Sequence, residues 1–203
     1  MYKHGLKRVL DFFVSLVALP FWLVLLFVLA PIIYFSDRGS VFYCAPRLGR
    51  DGKTFNMYKF RSMKMNAPDI RNADGSTFNA EDDPRLTKIG KFLRKTSLDE
   101  TPQLLNVLKG DMSLIGPRPD LPEHFELYVD NESRKLEVRP GITGYSQAYF
   151  RNNIPWKERI QKDIYYIDHL TFALDVKVLF RTAMSVLRSE NVYIRQEESA
   201  DRK

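Results

Sequence analysis

The strongest pattern in the chain is apolar: Phe12 to Phe35 reads FFVSLVALPFWLVLLFVLAPIIYF, two dozen residues without a formal charge. As a helix, such a run is long enough to cross a hydrocarbon core of about 30 Å. It exceeds the apolar part of a secretory signal, and no small-residue cleavage pattern follows Phe35, so it is expected to be retained. Lys3, Lys7 and Arg8 precede it, and Arg38, Arg47, Arg50 and Lys53 follow it. The positive-inside rule therefore draws both flanks to the cytoplasmic side, which a single crossing cannot satisfy. Pro20 lies inside the run, where it removes a backbone donor and crowds the preceding turn, so a kink or break is predicted there. A helix that enters, breaks at Pro20 and returns reconciles the two facts, with Ser15 as the side chain placed to bond a freed carbonyl. A plain transmembrane helix is the alternative on length alone.

Beyond this segment the periods shorten. Val41-Phe42-Tyr43 and Thr54 to Phe60 read as strands around Arg50-Asp51-Gly52-Lys53, a hairpin signalled by Asp-Gly. Asn66 to Pro84 is rich in Asn, Asp, Gly, Ser and Pro and predicts a surface loop. From Leu86 to Lys95, Leu86, Ile89, Phe92 and Leu93 fall on one helical face with four cations around them, a stripe for a bilayer surface or a buried contact. Gln161 to Leu170 and Phe172 to Leu187 also carry helical periods. Tyr165, Tyr166, Phe172 and Phe180 are either interfacial anchors or core there. The fold class expected is α+β and helix-rich: a re-entrant membrane helix over 1–36, a catalytic domain with a small antiparallel hairpin and amphipathic interfacial helices over 37–190, and a polar tail over 191–203.

A chain of 203 residues with 44% hydrophobic residues has room for one catalytic domain and a membrane element. Cys44 is the single cysteine, so neither an intrachain disulfide nor a zinc cluster has ligands, and His4, His124 and His169 lack metal-ligand spacing. The net charge of +6 comes without a nucleic-acid motif and suits anionic lipid or phosphorylated substrates instead.

The candidate chemistry lies in Thr96-Ser97-Leu98-Asp99-Glu100-Thr101-Pro102-Gln103-Leu104, where adjacent carboxylates sit at a helix start. Thr101 as N-cap with Pro102 at the first helical position is one reading, and a Ser97/Glu100 capping box is the other; Gly110 ends the helix. Either way Asp99 and Glu100 lie at the positive end of a helix dipole, with Arg94 and Lys95 adjacent. Downstream, Gly116-Pro117-Arg118-Pro119 holds an arginine between prolines, and Arg139-Pro140-Gly141-Ile142-Thr143-Gly144 adds glycines suited to tight turns or close approach to a ligand.

Tyr58-Lys59-Phe60-Arg61-Ser62-Met63, Ser97 to Leu104, Asn106 to Ser113, Gly116 to Pro119 and Arg139 to Gly144, in this order behind an apolar N-terminal segment, resemble the bacterial sugar transferases that are monotopic polyprenyl-phosphate phosphoglycosyltransferases. The likeness covers nearly the whole chain, and the size resembles members consisting of the catalytic unit alone. It implies an enzyme of the bacterial inner membrane, working on the cytoplasmic face. Such an enzyme moves a sugar 1-phosphate from a nucleotide sugar, usually a UDP-sugar, to polyprenyl phosphate with Mg2+, at the start of glycoconjugate or polysaccharide assembly. Asp99 matches the family's nucleophile, and Glu100 its second acid, in metal or proton handling. Lys59, Arg94, Arg118 and Arg139 match basic positions assigned to phosphate and acceptor binding. The family's helix breaks at a Ser-Pro pair where this chain has Leu19-Pro20, and bulky Tyr149 and Phe150 replace a smaller stretch that bears on sugar selection. Nucleic acid is not an expected partner, and oligomeric state is left open. The rival readings are a membrane-tethered basic binding module and a metal-assisted diphosphate hydrolase.

Overall fold

A computed structural model describes residues 2–70, 78, 80, 82–150 and 153–188. The apolar run forms one helix, α1, from Lys7 to Asp37, about 46 Å long at the usual rise. Arg38, in a left-handed conformation, ends it. The break expected at Pro20 is not present: the helix continues through Pro20 and Pro31. Its interior side is a helical stripe, with Asp11, Ser15, Trp22, Leu29 and Ile33 all buried. That packing along the length holds the helix together where each proline removes a hydrogen bond. Ser15 does not serve the predicted purpose, because its hydroxyl is buried with no hydrogen-bond partner among the described residues.

Both ends of α1 are tied to the same folded body. At its start, Arg8 donates to the carbonyls of Val107 and Leu108. Asp11 accepts from the Ser113 hydroxyl at 2.7 Å and from the Leu114 amide at 3.3 Å. At its end, Asp37 pairs with Arg61 at 2.6 Å and accepts from the Met65 amide. The opposite side of α1 is bare and apolar, with Phe13, Val17, Phe21, Val24, Phe27 and Phe35 exposed.

After α1 come β1 (Phe42–Leu48) and β2 (Thr54–Phe60), antiparallel, with Phe42 opposite Phe60 and Leu48 opposite Thr54. The hairpin is as expected, although β1 runs on past Tyr43 through Pro46; on this two-stranded edge a missing donor is tolerated. The turn places Asp51 and Gly52 at positive φ, the reason Asp-Gly marks it. The predicted loop from 66 to 84 lies partly outside the described residues, as does the polar tail. At the loop's close, Asp83 and Arg85 form a buried pair at 2.8 Å.

Then follow α2 (Lys88–Thr96), a single 3-10 turn (Leu98–Glu100), α3 (Gln103–Lys109) and β3 (Ser113–Ile115). Two 3-10 segments, Pro122–Leu127 and Glu132–Glu137, lead to β4 (Gly141–Thr143), α4 (Tyr145–Tyr149), α5 (Trp156–Asp168) and α6 (Phe172–Leu187). The bounds of α6 match the sequence reading, whereas α5 starts five residues before Gln161. β3 and β4 pair in parallel, joining two segments far apart in sequence.

Three apolar clusters form the interior. Trp22, Leu29 and Ile33 of α1 meet Phe60, Leu93 and Leu104; Ile115, Ala148, Tyr166, Ile167 and Val178 form a second; Met57, Val107 and Met112 a third. Leu114 of β3 packs against all three, so the membrane-type helix and the rest share one continuous core. Tyr166 is core and not an interfacial anchor: its hydroxyl donates to Asp175 at 2.6 Å. Phe172 and Phe180 are exposed, together with Val176, Leu179 and Leu187 of α6. On α2, Leu93 is buried and Phe92 exposed, so the predicted stripe is split between core and surface, and Leu86 lies outside the helix, bridged to Met63.

Candidate active site

The carboxylate pair is held by a helix stop. α2 starts at Thr87, whose hydroxyl caps the Gly90 amide, and ends at Ser97 with φ of 57°. Gly90 is required here for space: a Cβ would stand 1.8 Å from the Ser62 carbonyl oxygen. Between Ser97 and α3, Asp99 and Glu100 occupy the 3-10 turn. Neither predicted cap forms. The Thr101 hydroxyl donates back to the Leu98 carbonyl at 2.8 Å, and Glu100 is drawn away by cations, leaving no carboxylate for a capping box. The α3 stop at Gly110 is as expected, with φ of 97°.

Glu100 is clamped from two sides. Its Oε1 accepts from Lys59 Nζ at 2.7 Å and from Arg118 Nη1 at 3.3 Å. Burial alone would raise its pKa, but Lys59 and Arg118 overcome this and hold it down at about 2. Asp99 is only 8% exposed and makes no side-chain hydrogen bond or ion pair among the described residues. Burial pushes its carboxyl up to about 6; Lys59 and, more weakly, Arg94 and Arg118 oppose the shift, and the charge of Glu100 adds to it. Two adjacent carboxylates are thus differentiated: one engaged by two cations that favour its ionised form, the other unengaged and pushed upward by burial.

Three of the four predicted basic residues come together at the acid pair. Lys59 reaches in from β2, and Arg118 from the segment after β3. Arg94 of α2 donates to the Ser62 hydroxyl at 3.1 Å, and its charge reaches Asp99. Arg139 is not brought to the pair. It donates to the Gly110 carbonyl at 2.8 Å, at the far end of α3 from Glu100, beside Arg8. The glycines of its motif also have another purpose than ligand approach. Gly116 and Gly141 let β3 and β4 touch: the Gly116 amide donates to Thr143, the Gly141 amide to Pro117, and a Cβ on Gly141 would fall 2.1 Å from the Gly116 nitrogen.

Sequence reasoning missed Asn106. It is fully buried, accepts from the Tyr58 amide at 3.0 Å, and donates to the Asn56 carbonyl and to Asp111. It fastens α3 to β2 and so sets Lys59 against Glu100. The available signal was a polar residue at an inward position between Leu104 and Leu108.

Among the described residues no three His, Cys, Asp or Glu side chains gather into a metal-binding group. A magnesium ion requires less than that when substrate phosphates complete its shell. Asp99, without a side-chain partner among the described residues, and the second carboxylate oxygen of Glu100, which accepts from neither cation, are hard oxygen donors of that type, and they fit.

Residues 2–189 match the model of the bacterial sugar transferases. The chain belongs to that family. An uncharacterized sugar transferase, EpsL of Bacillus subtilis, is 40% identical over 97% of this chain and 95% of its own length. An uncharacterized sugar transferase of Haemophilus influenzae is 43% identical over 93% of this chain. The undecaprenyl-phosphate galactose phosphotransferase of Salmonella typhimurium is 38% identical, also over 93%. Of each of these last two proteins the chain spans 42% of the length.

Proposed function

We propose that this bacterial sugar transferase moves a sugar 1-phosphate from a UDP-sugar to polyprenyl phosphate at the cytoplasmic face of the bacterial inner membrane, starting the assembly of a polysaccharide or other glycoconjugate. The observation that carries the reading is the differentiated pair: an unengaged, buried Asp99 beside a Glu100 clamped by Lys59 and Arg118. The name of the Salmonella relative is consistent with it.

In this reading an Asp99 carboxylate oxygen attacks the phosphorus that bears the sugar. The bond from that phosphorus to the bridging oxygen breaks, UMP leaves with the electron pair, and Asp99 carries the phosphosugar as an acyl phosphate. A phosphate oxygen of polyprenyl phosphate then attacks the same phosphorus. The Asp99–phosphorus bond breaks, and the products are polyprenyl diphosphate-sugar and the free carboxylate. Lys59, Arg94 and Arg118 surround the pair with positive charge, which offsets repulsion between a carboxylate and a diphosphate and stabilises charge as it develops. Asp99 and Glu100 would hold the magnesium ion, which supplies charge neutralisation at the phosphate oxygens.

The acceptor must reach this site from the bilayer. The bare face of α1 and the exposed apolar residues of α6 suit lipid contact. Because both ends of α1 are tied to one folded body, we read both ends as lying on the same side of the membrane, with the bare apolar face of the unbroken helix turned toward lipid.

The test is UMP release from a panel of UDP-sugars with magnesium, with and without polyprenyl phosphate. Release that depends on the acceptor and is abolished in Asp99→Asn, with membrane association intact, is expected. Near-normal turnover in that variant would sink the mechanism, and donor hydrolysis without any acceptor would favour a diphosphate hydrolase.

A further inference from the structure

β1 carries a cation that the site as described above does not use. The strand leaves the α1 side of the molecule at Phe42, which stacks on Phe60, itself stacked on Trp22 of α1. Tyr43 lies opposite Lys59, and Arg47 opposite Phe55. Positions 43 and 47 share a strand face, so Arg47 lies about 13 Å further along, toward the hairpin turn and away from the contact with Trp22. The Leu48 amide donates to the Asp120 carbonyl at 2.9 Å, which lays the segment bearing Arg118 along the end of β1. The two arginines are close enough that Arg118, after burial, is the main influence depressing the pKa of Arg47.

Among the described residues Arg47 forms no ion pair, and its guanidinium donates only to the adjacent Pro46 carbonyl, at 2.8 Å. Two acids lie in its surroundings, Asp120 and Glu123. Asp120 is committed elsewhere, accepting from Lys135, Tyr128 and Trp156. Arg118 has one acid partner, Glu100, on the side facing the dyad. Neither acid forms an ion pair with Arg47 among the described residues; neighbouring guanidinium groups repel each other, and a phosphate bound by both removes that repulsion.

We propose that Arg47 and Arg118 together form a phosphate subsite beyond the Asp99–Glu100 pair, which takes the phosphate that stays with the departing nucleotide. The inference rests on the transfer reading above. The chemistry recognised is a phosphate ester, and the polyprenyl acceptor carries one too. The position of Arg47, at the end of β1 opposite the Phe42–Phe60–Trp22 contact with the apolar middle of α1, assigns it to the water-soluble donor.

The full chain in detergent, as wild type, Arg47→Gln, Arg47→Lys and Arg50→Gln, decides the matter. The last is a control at an exposed turn residue of the same hairpin. Arg47→Gln is expected to raise the donor KM and the UMP inhibition constant roughly tenfold, with the acceptor KM within about twofold of wild type. Arg47→Lys should recover part of the loss, and Arg50→Gln should match wild type. Calorimetry with UDP should show the same loss of affinity in Arg47→Gln at an unchanged thermal midpoint. A rise confined to the acceptor KM overturns the assignment to the nucleotide, and no change in any constant overturns the subsite. A wild type that binds UDP in an Arg47-dependent way yet transfers nothing sinks the transfer reading and leaves the subsite standing.

Discussion

Asp99 and Glu100 share one turn of backbone and opposite fates, because the difference lies in what reaches each carboxylate. Lys59 and Arg118 both close on Glu100, while Asp99 is buried without a hydrogen bond among the described residues. This has a consequence for stability that is separate from catalysis. The Asp99 pKa in the folded chain is about 6, above the ordinary 3.8. Between those values the native state holds more protons than the unfolded one, so Asp99 removes stability as pH rises through the window. Asp99→Asn, which cannot ionise, should therefore raise the thermal midpoint at pH 8 and leave it unchanged at pH 4, with a chelator present. An identical shift at both values would place the effect in packing and not in charge. Of the candidate residues, Lys59, Arg94, Asp99, Glu100 and Arg118 were legible as types in motifs. Arg139 was misjudged because a motif records which residue is present and not which end of a helix it meets. Asn106 escaped notice since its importance lies in three hydrogen bonds to partners that only folding supplies.

At the scale of elements, α1 is the telling case. Its apolarity, and its end near residue 37, were plain from composition; its relation to the rest was not. Lys7 reaches Asp175 of α6 at 2.6 Å, an acid that also accepts from Tyr2 and Tyr166, so the start of α1 is bound to a helix 168 positions away. With Asp37 bound to Arg61 at the other end, the two termini of α1 cannot lie on opposite faces of a bilayer unless the folded body is torn or immersed. Single cysteines at Lys3 and at Lys53, introduced after replacement of exposed Cys44, should be labelled from the same side of the membrane. Labelling from opposite sides would establish a crossing helix and require a different arrangement of these pairs. The predicted break at Pro20 failed for a related reason: local propensity favours a break, but a continuous stripe from Asp11 to Ile33 packed on the body outweighs one missing hydrogen bond.

In the whole molecule, buried charge joins parts that the apolar clusters leave separate. Lys135, almost fully buried, lies 2.7 Å from Asp120 and 3.3 Å from Asp163, linking the Arg118 segment to α5. Burial would raise the pKa of Asp120, but Lys135 and the surrounding donors override it and hold the carboxyl far below its usual range; Arg85 lowers Asp83 in the same direction. Groups depressed on folding contribute stability that is complete above their unfolded pKa and lost as pH falls through the folded one. The thermal midpoint should accordingly drop on acidification below about pH 4. Lys135→Met, which leaves two acids facing an apolar side chain, should cost about 3 to 5 kcal/mol at neutral pH. A midpoint for Lys135→Met within a degree of wild type would show that the linkage is not structural.

The amino-acid sequence by itself determined the elements whose causes are local: the apolar helix, the Asp-Gly hairpin, the stop at Gly110, the bounds of α6 and the presence of a carboxylate pair beside cations. Periodicity, turn chemistry and composition act over a few residues, and they are readable at that range. The tertiary structure alone decided that α1 lies against the body for its whole length and that β3 and β4 pair across more than twenty intervening residues. It also decided that Glu100 is clamped while Asp99 is not, and that the segment bearing Arg118 lies along the end of β1. Those outcomes depend on charges and backbone groups brought together from distant positions, and no local rule carries that information.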